Sequence, residues 1–404
     1  MKKIAEFLCL WSIFALAGCT KKESPAQPVT PIVVSPVAKD SLTVVVDSIS
    51  KITIVNAVVY ARVTGKAGSA VTDRGVCWGI TANPQITDSV AKASTVNGNG
   101  TFQASINKLI HNTTYHVRSF ISGGGKVVYS NDITFKTITE PAPVVTTDTA
   151  SLAGATIAFV KGSINSATTI KESGVLISEN PIPSAGDRKV LNVKDERAFL
   201  MRINDLKPST IYYYRAFATT AMGITGYGAV VKFTTVQMGN LTYSFYEDPS
   251  AADDVKAANK RIKASLDQAV YLYNNFTPIV KHLNVSYSPG TPTADASFDG
   301  SIRVGANASY QRTGTILHEI AHTLGVGQHW MWGVLIQNGV YQGKNALFAL
   351  RFLTCDANAG MYGDGLHFWP FGINGAFEDS GDEMLYITNV MVVSAMRLDG
   401  LPSN

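Results

Sequence analysis

Three sequence landmarks in the first half of the chain recur at a nearly constant interval. GVCWG at Gly75 returns as GVLIS at Gly174, NTTYHVRSF at Asn112 returns as STIYYYRAF at Ser209, and ITFKT at Ile133 returns as VKFTT at Val231. The intervals are 99, 97 and 98 residues. A sequence that repeats at a fixed interval usually folds into repeated copies of one structural unit. The sequence therefore predicts two copies of one module, over residues 41–138 and 139–236.

Each copy has the pattern of short β-strands. The segment IYYYRAF, from Ile211 to Phe217, alternates between two kinds of side chain, which is typical of strands whose two faces differ. Such strands, separated by Gly, Asn and Pro turns over about a hundred residues, predict an all-β sandwich. The TYHVRSF strand and the closing ITFKT strand resemble the fibronectin type III and immunoglobulin-like modules common in surface proteins of Bacteroidetes. The resemblance implies a fold and a use as spacers, and it says little about biochemical function.

Length and composition limit the classes of protein to which the chain can belong. At 404 residues it is expected to be multidomain. Hydrophobic residues make up 46% and charged residues 16%, which is typical of folded rather than disordered protein. The net charge of +4 arises from 34 basic and 30 acidic residues without dense Lys/Arg runs. We therefore expect no nucleic-acid partner.

The first 19 residues have the layout of a secretory signal. A charged start precedes an apolar run from Phe7 to Ala17 that is too short to span a bilayer comfortably. The run leads into LAGC, ending at Cys19, which closely resembles the bacterial lipobox, in which cleavage before the cysteine lets its thiol be lipidated. This resemblance implies a cell-envelope lipoprotein held to the outer membrane or cell surface through Cys19. Residues 20–40 are rich in proline and polar side chains and are predicted to be a flexible tether.

Residues 238–404 differ from the modules because helical spacing replaces alternation. Ser250 and Asp253 form a capping-box pattern, and the apolar residues that follow predict a long amphipathic helix from about Ala251 to Phe276. The segments LNVSYS and SIRVG are short strand candidates. A helix, strands and then a helix that carries HExxH are the order expected of a zincin. We therefore expect an α+β zincin-like domain.

The HExxH motif lies in TILHEIAHTLGVGQHW. Residues four apart share one face of a helix, so His318 and His322 can present two imidazoles to one ion. Glu319 lies between them in the sequence and would act as the general base for a water activated by Zn2+. Burying two imidazoles without a partner would be costly, which favours a zinc site over a chance match.

A catalytic zinc site usually has a third protein ligand, and two histidines compete for this position. The segment HEIAHTLG resembles the metzincin motif HExxHxxGxxH, which would place the third histidine where this chain has Gln328. His329 follows one residue late, and Gly327 could absorb the extra residue through a backbone conformation closed to other residues. His329 therefore stays a candidate.

The other candidate is His367 in DGLHFWPFGIN. HEIAHTLGVG followed by this block resembles a family of secreted bacterial zincin-like proteins in which both blocks recur together. The resemblance implies that His367 is the third ligand, and we favour it over His329. A carboxylate ligand from Glu378, Asp379 or Glu383 ranks below both histidines.

Two functions are consistent with these features. The favoured one is a lipid-anchored, exported zinc metalloendopeptidase that hydrolyses a protein or glycoprotein, with Glu319 as general base. The alternative is a cell-surface binding protein or adhesin that recognises a glycan or a host protein and carries an inactive zincin-like domain. The tandem modules and the irregular spacing of the third ligand motivate the alternative.

Overall fold

The computed structural model describes residues 42–65, 71–94 and 99–402. The chain divides into two compact units, Met1–Ile138 and Thr139–Asn404. The predicted signal segment, the lipidation site Cys19 and the tether over residues 20–40 lie outside the described residues. No helix in the described part of the chain is both long enough and apolar enough to cross a membrane.

The first unit is an antiparallel β-sandwich. Its strands are β1 (Thr43–Ser50), β2 (Ala57–Thr64), β3 (Asp73–Gly79), β4 (Ser89–Lys92), β5 (Gly100–Ile106), β6 (Thr114–Gly123), β7 (Lys126–Tyr129) and β8 (Ile133–Lys136). One sheet has the order β1-β2-β5, and the other has the order β4-β3-β6-β7, with β8 also paired to β6. Alternate residues of both sheets, such as Val59, Ala61, Val76 and Val117, are fully buried between them.

The second copy repeats this arrangement strand for strand. Its strands are β9 (Val144–Ala153), β10 (Ala158–Asn165), β11 (Ile170–Ser178), β12 (Arg188–Leu191), β13 (Ala198–Ile203), β14 (Ile211–Thr220), β15 (Thr225–Tyr227) and β16 (Val231–Thr234). The sheet orders are β13-β10-β9 and β12-β11-β14-β15, with β16 also paired to β14. The predicted pair of fibronectin type III-like sandwiches is thus confirmed.

A tyrosine anchors the same corner in both copies. The Tyr115 hydroxyl accepts a hydrogen bond from the Ile110 amide at 2.9 Å, and the Tyr212 hydroxyl accepts one from the Lys207 amide at 3.0 Å. Both rings are buried, because each tyrosine stands on the inward face of its strand. The NTTYHVRSF and STIYYYRAF landmarks therefore recur because each tyrosine joins a strand to the loop before it.

The second sandwich shares a hydrophobic core with the region after it. Ile157 and Phe159 are buried in the same cluster as Leu266 and Leu350 of the C-terminal region. The backbone amide of Thr156 also donates to the carbonyl of Asn275 at 3.0 Å. The sequence predicted a separate domain from residue 238, and the structure instead has one compact unit from residue 139 to the end. The physical reason is that apolar side chains on the outer face of the sandwich are covered by the C-terminal helices.

The C-terminal region is built on a mostly parallel sheet. Its strands are β17 (Asn240–Phe245), β18 (Val280–Tyr287), β19 (Ala294–Ala296) and β20 (Ser301–Val304). The order is β17-β18-β20-β19, in which β19 is an antiparallel edge strand. The helix α1 (Asp253–Phe276) connects β17 to β18, as a crossover between parallel strands requires.

The predicted helix over residues 251–276 is confirmed within two residues, but its predicted capping box is wrong. Ala252 is the N-cap and makes no side-chain capping hydrogen bond. The Ser250 hydroxyl donates instead to Asp248 at 2.7 Å, so the motif closes a turn before the helix. The negative charges of Asp253 and Asp254 in the first turn interact favourably with the positive end of the helix dipole.

The remaining helices and strands include the helix that carries the HExxH motif. They are a short 3-10 helix (Ala308–Tyr310), α2 (Thr313–Thr323), α3 (Trp330–Leu335), β21 (Ile336–Gln337), β22 (Val340–Tyr341), α4 (Lys344–Thr354), β23 (Tyr362–Gly363), β24 (Phe368–Trp369), α5 (Gly375–Glu378) and α6 (Glu383–Leu398). The strands β21 to β24 form a small antiparallel sheet in chain order.

Candidate metal centre

The helix α2 is buried along its whole length and carries the HExxH motif. Ile316, Leu317 and Ile320 are fully buried and fix the helix in the core. The carboxylate of Asp379 accepts hydrogen bonds from the Gly314 amide at 3.0 Å and from Arg312 Nε at 3.2 Å. The start of α2 is therefore held by a buried side chain that is distant in sequence.

Two imidazoles on α2 are oriented by backbone carbonyls. His318 Nδ1 donates to the carbonyl of Gly372, and His322 Nδ1 donates to the carbonyl of Val326 at 2.8 Å. A carbonyl can only accept, so the proton of each neutral ring is on Nδ1 and the lone pair is on Nε2. The two Nε2 atoms lie 3.1 Å apart. Two nitrogen lone pairs at this distance repel each other, and a cation bound by both of them would remove the repulsion.

Burial keeps both rings neutral. Burial, together with the neighbouring His322, lowers the pKa of His318 to about 4. Burial also lowers the pKa of His322, although its hydrogen bond to Val326 opposes the shift. Neutral imidazole is the form that binds a metal ion, so the environment favours ligation over protonation.

His367 completes a group of three imidazoles. Its ring centroid lies 5.2 Å from that of His318 and 5.5 Å from that of His322. One ligand atom from each of the three histidines lies within 4.8 Å of the others. Within the residues that the structure describes, this is the one group of three or more His, Cys, Asp or Glu side chains close enough to hold a metal ion.

A tight hairpin between β23 and β24 presents His367. The amide of Asp364 donates to the carbonyl of His367 at 3.0 Å, which closes the turn. Asp364 Oδ1 accepts from the His367 amide at 2.6 Å and lies 3.6 Å from His367 Nδ1. The backbone amides of His367 and Leu366 hold the pKa of Asp364 below its usual value, so a negative charge faces the ring. Carboxylates in this position commonly orient a ligating histidine, and the sequence analysis missed Asp364 although it stands three residues before His367.

The hairpin is held against the end of α2 by a glycine. Gly327 has φ +67°, and a Cβ atom there would lie 2.3 Å from the Leu366 carbonyl oxygen. Trp332 Nε1 donates to the Asp364 carbonyl at 2.9 Å and fixes the other side of the turn. The special conformation of Gly327 therefore brings the segment with His367 to the helix, and it does not serve to extend the reach of His329.

The structure places His329 outside the group. Its imidazole caps α3, where Nδ1 accepts from the Met331 amide at 3.3 Å. Its ring centroid lies 5.5 Å from that of Phe298. The chain has already turned at Gly325, with φ +103°, so His329 is the N-cap of the next helix. The structure thus brings His367 to His318 and His322, and it does not bring His329 there.

The three carboxylates considered as ligands also lie elsewhere. Asp379 is hydrogen-bonded to the start of α2 and to the Tyr386 hydroxyl at 2.6 Å. Glu378 accepts from the Asn374 amide at 2.8 Å. Glu383 forms a bidentate pair with Arg202 of the second sandwich, at 2.8 and 3.0 Å. Each of them has a structural partner, and none belongs to the histidine group.

Glu319 lies beside this group in a buried position. It is 2% exposed, and no group among the described residues makes a hydrogen bond to its Oε2 atom. Burial, with a contribution from Asp295 on the edge strand β19, raises the pKa of Glu319 to about 8. A buried carboxylate oxygen without a hydrogen-bond partner is costly, and it is explained if the site normally holds a cation and a water.

The donor set fits a zinc ion. Three neutral imidazole nitrogens are a known ligand set for catalytic zinc, and they leave a fourth position open. Two of the rings already have the carbonyl partners that orient metal ligands, and the third faces Asp364. The orphaned Glu319 oxygen supplies the basic group that such a site uses.

No family model matches the chain, and no curated protein matches it. Among solved structures, the FN1–FN3 domains of chicken CNTN1 are 12% identical with a TM-score of 0.23, and the match covers 45% of this chain and 63% of that one. The sensor domain of the anti-sigma factor RsgI4 of Pseudobacteroides cellulosolvens is 20% identical with a TM-score of 0.20, covering 24% of this chain and 76% of that one. The fibronectin type III domain of human fibronectin type III domain containing protein 3 is 20% identical with a TM-score of 0.20, covering 28% and 96%.

The chain therefore spans less than two thirds of the chicken fragment. All three TM-scores are far below the level at which overall folds agree. The β-sandwich architecture of the two modules accordingly rests on the strand pairing described above.

Proposed function

We propose that the protein is a zinc-dependent metalloendopeptidase with His318, His322 and His367 as the zinc ligands. The observation that carries the proposal is the convergence of two buried Nε2 lone pairs, 3.1 Å apart, on rings whose Nδ1 protons are committed to carbonyls. His367 adds a third ligand atom within 4.8 Å. This arrangement has no evident use without a cation, and the neighbouring Glu319 suits hydrolysis rather than simple structural binding.

Each residue of the site has a role in this reaction. Zinc, when bound, would polarise the scissile carbonyl and make water acidic enough to attack at neutral pH. Glu319 would accept the proton of the attacking water and deliver it to the leaving amine. Burial raises the pKa of Glu319, and a cation bound beside it would favour the ionised form that accepts a proton. The carbonyls of Gly372 and Val326 would keep the rings of His318 and His322 in the ligating tautomer.

We also propose that the enzyme acts outside the cytoplasm, as a lipoprotein of the outer membrane or cell surface. The support is the signal-like start of the sequence and the segment ending at Cys19 that resembles a lipobox. A tether over residues 20–40 would then separate the anchor from the first sandwich. The class of substrate that follows is an extracellular or envelope protein or glycoprotein.

The proposal is tested by Glu319→Gln in the zinc-loaded full chain. We expect hydrolysis of a denatured protein mixture to fall at least about a hundredfold, because the general base is lost. Zinc content should be unchanged, because the substituted side chain is not a ligand. The matched control is Asp295→Asn, which alters the charge near Glu319 without removing the base and should keep most of the activity.

Two results would count against this mechanism. Equal hydrolysis by the parent protein and Glu319→Gln would remove Glu319 from the reaction. A parent protein that binds no zinc after supplementation and hydrolyses nothing would favour the alternative, a cell-surface binding protein for a glycan or host protein.

A further inference from the structure

The β23–β24 hairpin that presents His367 has one buried face and one exposed face. Cross-strand pairs along it are Asp364 with His367, Gly363 with Phe368, and Tyr362 with Trp369. Side chains alternate between the two faces of a strand, so His367 and Trp369 project from the same face. The pair between them, Gly363 and Phe368, is buried.

The face that carries His367 continues as an apolar row. Trp369 is 48% exposed, its cross-strand partner Tyr362 is 44% exposed, and Val340 on the next strand, paired with Tyr362, is 41% exposed. The opposite face of the same strands holds Tyr341 and Phe368, which are buried in the core. The exposed row therefore lies on the face of the strands that points away from the core.

This row is continuous with the candidate metal centre. Two residues along a strand span about 7 Å, so the Trp369 side chain begins about one side-chain length from that of His367. Leu366, which precedes His367 in the hairpin turn, is 49% exposed. A contiguous exposed group of large apolar side chains usually marks a contact surface.

We propose that Trp369 and Tyr362 form the binding surface for a large apolar side chain of the polypeptide substrate, close to the scissile bond. This inference rests on the proposed peptidase function and specifies its substrate class. Trp and Tyr bury a large area at small conformational cost, and they dominate binding energy at interfaces. A side chain such as Phe or Leu, laid across the two rings, would fix the position of the neighbouring peptide bond relative to the three histidines.

The neighbours of the two rings favour an apolar side chain over a sugar. Val340, the cross-strand partner of Tyr362, is aliphatic, and so is Leu366 in the hairpin turn. Binding of a sugar requires several convergent hydrogen-bonding groups besides a ring for stacking. The exposed row Val340, Tyr362 and Trp369 offers one hydroxyl, on Tyr362, to such a ligand.

The test measures binding separately from hydrolysis. The protein is the zinc-loaded full chain with Glu319→Gln, so that bound peptide is not consumed. The probes are fluorescein-labelled, capped hexapeptide mixtures that are identical except for a central Phe or a central Ser. Trp369→Ala and Tyr362→Ala are compared with Tyr246→Ala, a matched control in which an aromatic residue that is 81% exposed is removed elsewhere. Fluorescence anisotropy gives the ratio of the two dissociation constants.

We expect the Phe mixture to bind about tenfold more tightly than the Ser mixture, which corresponds to about 1.4 kcal/mol. Trp369→Ala and Tyr362→Ala should bring the ratio close to one with unchanged zinc content, and Tyr246→Ala should leave it unchanged. No preference in the parent protein, or a preference that both alanine variants keep, would overturn the inference.

Two further outcomes separate the inference from the proposed function. Hydrolysis by the chain with its native Glu319, with a Phe preference that survives Trp369→Ala, would keep the peptidase and reject this surface. A Phe preference that depends on Trp369 in a protein that hydrolyses nothing would keep the surface and reject the peptidase. Tighter binding of an N-acetylgalactosaminylated Ser mixture than of the Phe mixture, lost in Trp369→Ala, would reject an apolar ligand and indicate a glycan.

Discussion

The two sandwiches have the same fold but differ in what covers their three-stranded sheet. On equivalent outward positions, the first copy has Val58 and Gln103, whereas the second has Phe159 and Leu200. Phe159 is buried in one core with the C-terminal helices, and Leu200 packs against that core. Val58 is half-buried and Gln103 is exposed.

The inward and outward residues of a repeated module are thus under different constraints. The inward residues, including the corner tyrosines, preserve the sandwich in both copies. The outward residues determine whether a copy is a compact unit by itself or packs into one core with the region that follows it. The second sandwich is thus a structural part of the domain that carries the candidate zinc site, whereas the first belongs to the other compact unit.

The strongest test of this contrast is removal of the first copy alone and then of both copies. A chain of residues 139–404 should fold and bind zinc as the full chain does. A chain of residues 238–404 should fail to fold, because it exposes the core surface that Ile157 and Phe159 cover. Circular dichroism and zinc content check both. A folded, zinc-binding chain of residues 238–404 would show that the second sandwich is not needed for the C-terminal region to fold.

Removal of metal should distinguish the two compact units next. If zinc is bound at about a thousand times its dissociation constant, a chelator should reduce the free energy of unfolding of the second unit by about 4 kcal/mol. The first unit holds none of the three histidines and should be unaffected. Differential scanning calorimetry with and without EDTA measures the two transitions. Equal shifts in both transitions would contradict the zinc assignment.

The equivalent outward positions Phe159 and Val58 should respond differently to alanine. Phe159→Ala should lower the free energy of unfolding of the second unit by about 3 kcal/mol, because a buried aromatic ring is lost. Val58→Ala should change that of the first unit by only about 0.5 kcal/mol. Urea unfolding of residues 139–404 and of residues 41–138 provides the values. Similar losses at both positions would mean that the outer faces are equally buried.

The corner tyrosines should behave alike and so mark what the copies share. Tyr115→Phe and Tyr212→Phe each remove one hydroxyl that accepts a hydrogen bond from a backbone amide. Each should cost about 1 kcal/mol, the usual net contribution of such a hydrogen bond. The same two chains and the same urea titration supply the comparison. Losses that differ severalfold would show that the two inward frameworks are not equivalent.

Much of the fold could be predicted from the sequence because its signals are local or repeated. Gly75 and Gly174 begin recurring landmarks because a Cβ at either position would lie within 2.3 Å of a carbonyl oxygen on the neighbouring strand. The helix over residues 253–276 shows the expected spacing of apolar residues. The shared core was not predicted, because Phe159 and Leu200 fit a sandwich strand equally well whether they face solvent or another domain.

The candidate site was predictable in part for a similar reason. His318, Glu319 and His322 lie within one helical turn, so their relation follows from spacing alone. The choice between His329 and His367 depends on how the chain turns after α2, and Gly325 and Gly327 permit more than one path. The carbonyls of Gly372 and Val326 carry no side-chain signal. Their role as partners of the two rings therefore could not be predicted from the sequence.

The most direct measurement is the zinc content of the full chain beside His367→Ala and His329→Ala, by elemental analysis after identical purification with zinc. We expect one zinc per chain in the parent protein, loss of that zinc in His367→Ala, and its retention in His329→Ala. Retention in His367→Ala with loss in His329→Ala would contradict this expectation. So would a parent protein that binds no zinc.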